Sequence, residues 1–521
     1  LRVSASGHAL AMICKWVVAL ACLLLCGPAV SARSATWPGD DWARSSPEAQ
    51  GVASADVARL IEDIVRPGRR IDAVLLIRKG HLIAELVVAP YDAAEPHDLR
   101  SITKSVVSTL VGVALQRRDL RSTRQRLDEF VALPPAADPR QRAITIEHLL
   151  DMRSGIAWRE WPYDQDSDLL KMAASPDWLA YILARPMRDE PGARFWYSGA
   201  APHLVSAALQ HATGQALATY ARAHLFKPLG ITQSPWMSDA QGLSIGDSAL
   251  SLRPHDLARL GWLLMTDGVW RGQRLLPAGW LTELLNGPQS HGLRDEGALL
   301  PRFKRMWWVD PAVPIVQAVG RHGQYLVLLP RQETLLVVVA KSSGGADAAI
   351  DMRRVVTQHL LRVTQASSAL PPNPAGERVL RQVIDSRSVT TPLSSMRPPR
   401  TALALSGRRI RFEPNGQGVS AVELRFDDQG RGQFLMAWGN RKGDVIARPF
   451  GADGQYSLSA RTPWGVFATR ATWPNERTVE IESERLQGST VTKYHLTFDD
   501  DRVVLSIEDQ DSPKSVLNGR P

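Results

Sequence analysis

Ser101 and Lys104 stand three residues apart, and of the chain's ten lysines only Lys104 has a serine at that spacing. A hydroxyl and an amine one helical turn apart share a face, where the amine can take the hydroxyl proton and leave a nucleophilic oxygen. So short a string arises by chance, so its setting carries the argument. Ser101 opens the apolar run 101–115, which predicts an amphipathic helix with the hydroxyl at its N-terminus. Backbone N–H groups and the helix dipole there favour a developing negative charge. Burial of Lys104 against the apolar face predicts an ammonium pKa lowered toward that of a working base. The same serine also fits an ordinary helix N-cap, and the spacing alone leaves both readings open.

Two further segments carry groups of the right kind. Tyr197-Ser198-Gly199 follows the turn Glu190-Pro191-Gly192 and precedes a helical run from Pro202. A phenol held near an ammonium can shuttle a proton to a leaving group, although a tyrosine so placed also serves as plain packing. Gly320-Arg321-His322-Gly323-Gln324 opens the strand run Tyr325–Leu329. Glycines such as Gly323 on a strand edge admit a substrate backbone, and the Gln324 N–H would pair with that of Ser101 as an oxyanion hole. An ordinary Gly-rich turn between two strands has the same pattern. Gly242-Leu-Ser244-Ile-Gly246 matches a nucleophile elbow, but neither a strand before it nor a helix straight after is in place, so Ser244 is set aside. The twelve histidines hold no H-x-H or H-E-x-x-H pair, and no metal or other cofactor is expected.

Taken in order, these three segments resemble the serine β-lactamase and DD-peptidase superfamily, in its class C-related branch of esterases and 6-aminohexanoate-dimer hydrolases. Flanking phrases extend the resemblance over about residues 50–362: the runs 144–156, 227–231 and 252–261, and Pro191-Gly192. It implies Ser101 as nucleophile, Lys104 as base, Tyr197 as proton relay, and hydrolysis of an ester or small amide through an acyl-enzyme. It also likens the loop Trp158–Asp164 to one that covers substrate, with Trp161 and Tyr163 lining an acyl pocket or simply packing. Two departures stand out. The family's Y-x-N reads Tyr197-Ser198-Gly199, without the amide that orients an acylamino group. Its K-T-G aligns with Arg321-His322-Gly323, where Arg321 keeps a cation able to grip a carboxylate and His322 replaces a small hydroxyl residue. Both turn the expectation away from a β-lactamase or D-alanyl-D-alanine carboxypeptidase, and toward a substrate with a free carboxylate. A non-catalytic relative that binds a cell-wall ligand is the alternative of another kind.

The elements that must position these groups follow from periodicity. Runs 73–77 and 82–88 read as a hairpin, residues 100–290 as mostly helical, and runs 306–309, 314–319, 325–329 and 334–340 as strands. Strands on both sides of a helical insertion predict one antiparallel sheet with flanking helices and a helical subdomain, an α+β fold, over residues 33–365. Residues 366–400, rich in Pro and Ser around one helical run at Glu377–Ile384, read as a linker with few contacts. Residues 401–521 alternate in short strands and read as a separate all-β domain.

The chain's 521 residues, 44% apolar and 22% charged, suit a globular protein of two or three domains. Its formal charge of +9 is scattered rather than clustered, so no nucleic-acid partner is expected. Lys15, the apolar run 16–26 and the small residues before Arg33 read as an export signal over 1–32, too short to span a bilayer comfortably. The expected location is therefore secreted or periplasmic, with no membrane span after processing. All three cysteines (Cys14, Cys22, Cys26) fall in that signal, which leaves the mature chain without thiolate chemistry or disulfides. Oligomeric state is left open.

Overall fold

The computed structural model describes residues 37–286, 290–291, 302–310, 312–313, 315–342, 352–389, 398–428, 431–439, 445–451, 454–499 and 502–521. The expected export signal lies outside them. No helix among the described residues is long and apolar enough to cross a membrane.

The first hairpin pairs β1 (Ile71–Arg78) with β2 (His81–Val87). Lys79 and Gly80 make its turn, both at positive φ, as a tight two-residue hairpin requires. The sheet continues with β3 (Ser290–His291), β4 (Arg302–Lys304), β5 (Trp307–Asp310), β6 (Ile315–Gly320), β7 (Gln324–Leu329) and β8 (Thr334–Ala340). The order is β2-β1-β8-β7-β6-β5-β4-β3, antiparallel throughout. β1 and β8 face one another in register, with Leu75 opposite Val337, so the two ends of the domain close the sheet. Every residue of both strands is buried, which requires cover on both faces and explains their unbroken apolar runs.

Helices supply that cover. α1 is Ser54–Ile64, α2 Ile102–Arg117, α3 Ala200–Thr213 and α4 Pro254–Met265. α4 lies across β1, β7 and β8, while α2 packs on β6 and β7 and against α3. α2 departs from the amphipathic expectation. All residues from Ile102 to Ala114 are buried, because sheet and helical subdomain enclose it on every side. Short helices between residues 146 and 221 make up the helical subdomain.

The segment expected as a loose linker is stitched to this domain. α5 (Pro374–Arg387) is capped by Asn373 and packs on α1. The Leu370 N–H bonds the Glu48 carbonyl at 2.8 Å, and Arg78 donates to the Ala366 carbonyl at 2.7 Å. Apolar side chains of α5, Leu380 above all, find the α1 groove, and proline composition does not reveal that.

Ten strands then form one antiparallel sheet: β9 (Arg409–Phe412), β10 (Val419–Phe426), β11 (Gly432–Trp438), β12 (Val445–Phe450), β13 (Ser457–Leu458), β14 (Phe467–Asn475), β15 (Thr478–Arg485), β16 (Val491–Asp499), β17 (Arg502–Asp509) and β18 (Ser512–Arg520). The order is β12-β11-β10-β9-β18-β17-β16-β15-β14-β13, and β12 comes back against β14, so the sheet curls into a barrel-like unit. Its apolar core, from Ala402 to Leu517, is separate from that of the first domain.

Between the two cores the contact is polar. Arg70 pairs with Glu482 at 2.6 Å and Glu484 at 2.5 Å. Buried Lys341 pairs with Asp72 at 2.6 Å and reaches Glu484 at 3.4 Å. Expected independence of the β unit thus gives way to a web of buried charge across the boundary.

Candidate active site

Arg100, immediately before Ser101, takes a positive φ of 50°, which turns the chain sharply into α2. Backbone strain of this kind persists only where surroundings hold it. Here Asp98, Ser489 and Asp511 all bind the Arg100 side chain. Ser101 then stands at the N-terminus of α2, and its side chain caps no backbone N–H of the helix. Instead, Lys104 Nζ lies 3.1 Å from Ser101 Oγ. The same ammonium donates to the Asp247 carbonyl at 2.8 Å, and the Asp247 carboxylate stands 4.0 Å away.

Tyr197 completes the group. Its ring centre is 5.3 Å from Lys104 Nζ, and it stacks between Trp161 at 5.0 Å and Trp308 at 6.1 Å. Ser101, Lys104 and Tyr197 line one small cavity with Ser105, Phe303, Met306, Trp308 and Val319. Burial raises the Tyr197 pKa, against the pull of the Lys104 charge and the Ser101 hydroxyl, so the phenol is neutral near pH 7. Lys104 reverses the expectation drawn from burial alone. Desolvation does press its pKa down, but the Tyr197 phenol oxygen and the carboxylates of Asp247 and Glu160 outweigh it and hold Lys104 above the ordinary lysine value.

With this trio in place, the family model described as Beta-lactamase matches residues 57–361. The chain belongs to the β-lactamase family. A 6-aminohexanoate-dimer hydrolase from Paenarthrobacter ureafaciens is 26% identical over 342 residues, 62% of this chain and 84% of the relative. A Bacillus anthracis structure provisionally named a 6-aminohexanoate-dimer hydrolase has a TM-score of 0.51 at 18% identity, over 65% of this chain and 91% of that one. An octameric penicillin-binding protein homologue from Pyrococcus abyssi spans 89% of this chain and 100% of its own, at a TM-score of 0.47 and 14% identity. The likeness to the Bacillus anthracis structure concerns the fold alone. The family and the first relative make this protein a hydrolase of the β-lactamase superfamily.

Within the β-lactamase fold, three neighbours were not evident from motifs. Glu160 is 4% exposed; its carboxylate accepts from Trp158 Nε1 at 2.6 Å and from the Gly199 N–H at 2.9 Å. A side chain at Gly199 would meet Leu169 at 2.9 Å and Glu160 Oε2 at 3.4 Å. Asp247 Oδ2 is next at 3.5 Å, so Leu169 and two carboxylates crowd the space beside Gly199. Burial raises the Glu160 pKa, opposed by Lys104. Asp247, also 4% exposed, leaves Oδ1 without a hydrogen bond among the described residues. The third is Asp511, from the turn between β17 and β18 of the barrel.

Asp511 alters the reading of the Arg321–Gln324 segment. Its carboxylate binds Arg321 Nη1 at 2.8 Å, His322 Nε2 at 2.9 Å and the Arg100 guanidinium. Burial opposes its charge, yet His322, Arg100 and Arg321 hold its pKa well below the ordinary carboxylate value. The expected carboxylate grip of Arg321 is thus engaged by an internal carboxylate, and His322 spans Asp511 and the Ser342 carbonyl at 3.0 Å. The other face of Arg321 stacks 4.2 Å over the Tyr163 ring, so the aromatic loop closes the same rim. His322 and Gly323 form the turn itself, both at positive φ. Gln324 follows that turn, opposite Gly320 in the β6–β7 pairing. Its carboxamide turns to the Ala340 carbonyl at 2.6 Å, and Val319 of β6 lines the cavity. Ser244 sits in the core, where Oγ accepts from the Ala218 N–H at 3.1 Å.

Proposed function

We propose that this protein is a serine hydrolase that cleaves an uncharged ester or small amide through an acyl-enzyme on Ser101. The observation that carries the reading is the 3.1 Å contact of Lys104 Nζ with Ser101 Oγ at the N-terminus of a buried helix, beside Tyr197. Ser101 Oγ attacks the carbonyl carbon as its proton passes to Lys104 in the deprotonated amine form. The tetrahedral intermediate's oxyanion is held by the Ser101 N–H and by backbone at Val319–Gly320, where β6 runs on past the end of its pairing with β5. As the carbonyl–heteroatom bond breaks, Tyr197 protonates the leaving group and is reprotonated from Lys104. Water then attacks the acyl carbon by the reverse relay and releases the acid and Ser101.

Substrate charge follows from Asp511. With Asp98 and Asp511 set against Arg100 and Arg321, no arginine at this rim is left without an acid among the described residues. An acylamino group likewise lacks its amide partner at Gly199. Short neutral esters are the expected substrates, and penicillin turnover is expected to be slow or absent.

The test is covalent labelling with a fluorophosphonate, followed by peptide mass mapping and assay of aryl esters. Label on Ser101, and loss of about three or more orders of magnitude in kcat/KM for both Ser101→Ala and Lys104→Ala, is the expected result. The double variant should lose little more than either single one, because the pair acts as one unit. Full activity in Ser101→Ala would refute the assignment, and efficient penicillin hydrolysis would redirect it.

A further inference from the structure

β12 alternates Ile446, Arg448 and Phe450 toward the barrel interior, with Val445, Ala447 and Pro449 on the other face. A cation at an interior position of a small barrel is costly, and Arg448 is 4% exposed. No acid pairs with it among the described residues. Its Nε and Nη1 have no hydrogen-bond partner among the described residues. Aromatic rings surround it instead: Phe467 at 4.8 Å, Tyr494 at 5.5 Å, Phe434 at 5.8 Å and Trp438 at 6.0 Å from Cζ. Such contacts offset part of the desolvation. They leave the hydrogen-bonding edge of the guanidinium unfilled, and a buried donor left unmade calls for an explanation.

Arg448 also lines a cavity of about 280 Å3, together with Trp438, Phe467, Tyr494, Trp464 and Arg485. Arg485 stands exposed at the rim and forms no ion pair among the described residues. The one carboxylate in the wall, Asp98, is already engaged by Arg100 at 3.1 Å and Ser489 at 3.0 Å. A second cavity of about 240 Å3 shares Trp438, Thr492 and Tyr494, and its one acid, Asp509, accepts from Thr492 at 2.8 Å. Both volumes fall just below the usual range for small-molecule sites, about 300–1,000 Å3, which suits a compact ligand rather than a polymer. A planar guanidinium fork matches a carboxylate, and the rings match an apolar body.

We infer that the barrel is a binding module for a small monocarboxylate with an aromatic or aliphatic body, its carboxylate on Arg448 and its body among the rings. Ser101 is not among the residues that line this cavity, so binding there needs no turnover.

The test uses the full-length Ser101→Ala protein and a matched pair of probes, 4-phenylbutyrate and 4-phenyl-1-butanol, titrated by calorimetry. The acid is expected to bind roughly 10- to 100-fold more tightly than the alcohol, the difference that charge-assisted hydrogen bonds supply. Arg448→Met keeps side-chain bulk and should abolish that preference while leaving the circular dichroism spectrum unchanged. Equal binding of the two probes, binding of neither, or a preference that survives in folded Arg448→Met would overturn the inference and leave Arg448 a packing residue. Since the two probes are compared on a protein with its barrel unaltered, the result stands even if Arg448→Met fails to fold.

Discussion

Lys104 carries a conflict that its pKa makes measurable. As the proton acceptor it must be neutral, yet Asp247, Glu160 and Tyr197 together hold it above the ordinary lysine value of 10.5. The active fraction therefore grows with pH, and kcat/KM for a neutral ester should climb about tenfold per unit through the neutral range. Asp247→Asn keeps the backbone carbonyl that binds Nζ but removes a charge that favours the ammonium. Its profile should shift to lower pH, with higher activity at pH 7 than the parent; an unmoved profile would remove Lys104 as the titrating base. The stability sign is opposite. A raised lysine pKa stabilises the fold at all pH below 10.5 and is lost only as pH rises through the folded value, so Asp247→Asn should also melt earlier at pH 7. Ser101 and Lys104 were legible because their spacing and helix setting form a string, and Tyr197 only through the order of segments that resembles the family. Glu160 and Asp247 reach Lys104 from separate loops, and no local pattern links an acid to an amine so far away in sequence. Glu160 does lie in the aromatic loop Trp158–Asp164, and Asp247 follows the rejected Ser244 motif, so both sat beside signals of another kind.

At the level of elements, the site depends on how closely β6 approaches the turn before α2. A Cβ built on Gly320 would lie 2.4 Å from the Leu99 carbonyl oxygen and 3.1 Å from Arg100 Cβ. Any side chain there must push the strand from the nucleophile turn, since its nearest obstacle is backbone. Gly320→Ala is expected to lower kcat by about 100-fold, the scale of a misplacement near 1 Å, and to cost roughly 1–3 kcal/mol of stability. Ester kinetics and thermal melts check both; near-normal kcat would show that β6 takes no part in holding the oxyanion. Strands themselves were readable, and Thr334–Ala340 keeps its expected bounds, because buried β-branched runs bracketed by turns leave few alternatives. What periodicity misses is enclosure. α2 has polar residues such as Ser105, Ser108 and Thr109 that suggest a wet face, yet all are buried. Ser105 donates to the Met306 carbonyl at 2.6 Å, and Thr109 back-bonds to Ser105 at 2.8 Å.

The whole molecule joins two apolar cores through charge, and one of those charges enters the catalytic rim. Removing residues beyond 365 would strip Arg70 and Arg321 of their carboxylates and leave Arg100 with Asp98 alone, so loss of activity on truncation would confound packing with chemistry. A point change separates them. Asp511→Ala leaves the barrel's ladder in place and frees Arg321, whose side chain is 37% exposed above Tyr163. A substrate carboxylate can then take the vacated fork, so KM for an ester with a free carboxylate should fall about tenfold while that for its neutral counterpart stays constant. The cost is local: three donors lose one acceptor, roughly 1–3 kcal/mol at pH 7. Because the Asp511 pKa is depressed in the fold, its contribution is fully present above the ordinary carboxylate value of 3.8 and fades as pH falls through the folded value. The stability gap between parent and Asp511→Ala should close in acid accordingly. A loss of kcat on both esters with no split in KM would mean that the barrel turn only braces Arg100. A split would mean that the appended domain sets the charge of the substrate by occupying the place of its carboxylate.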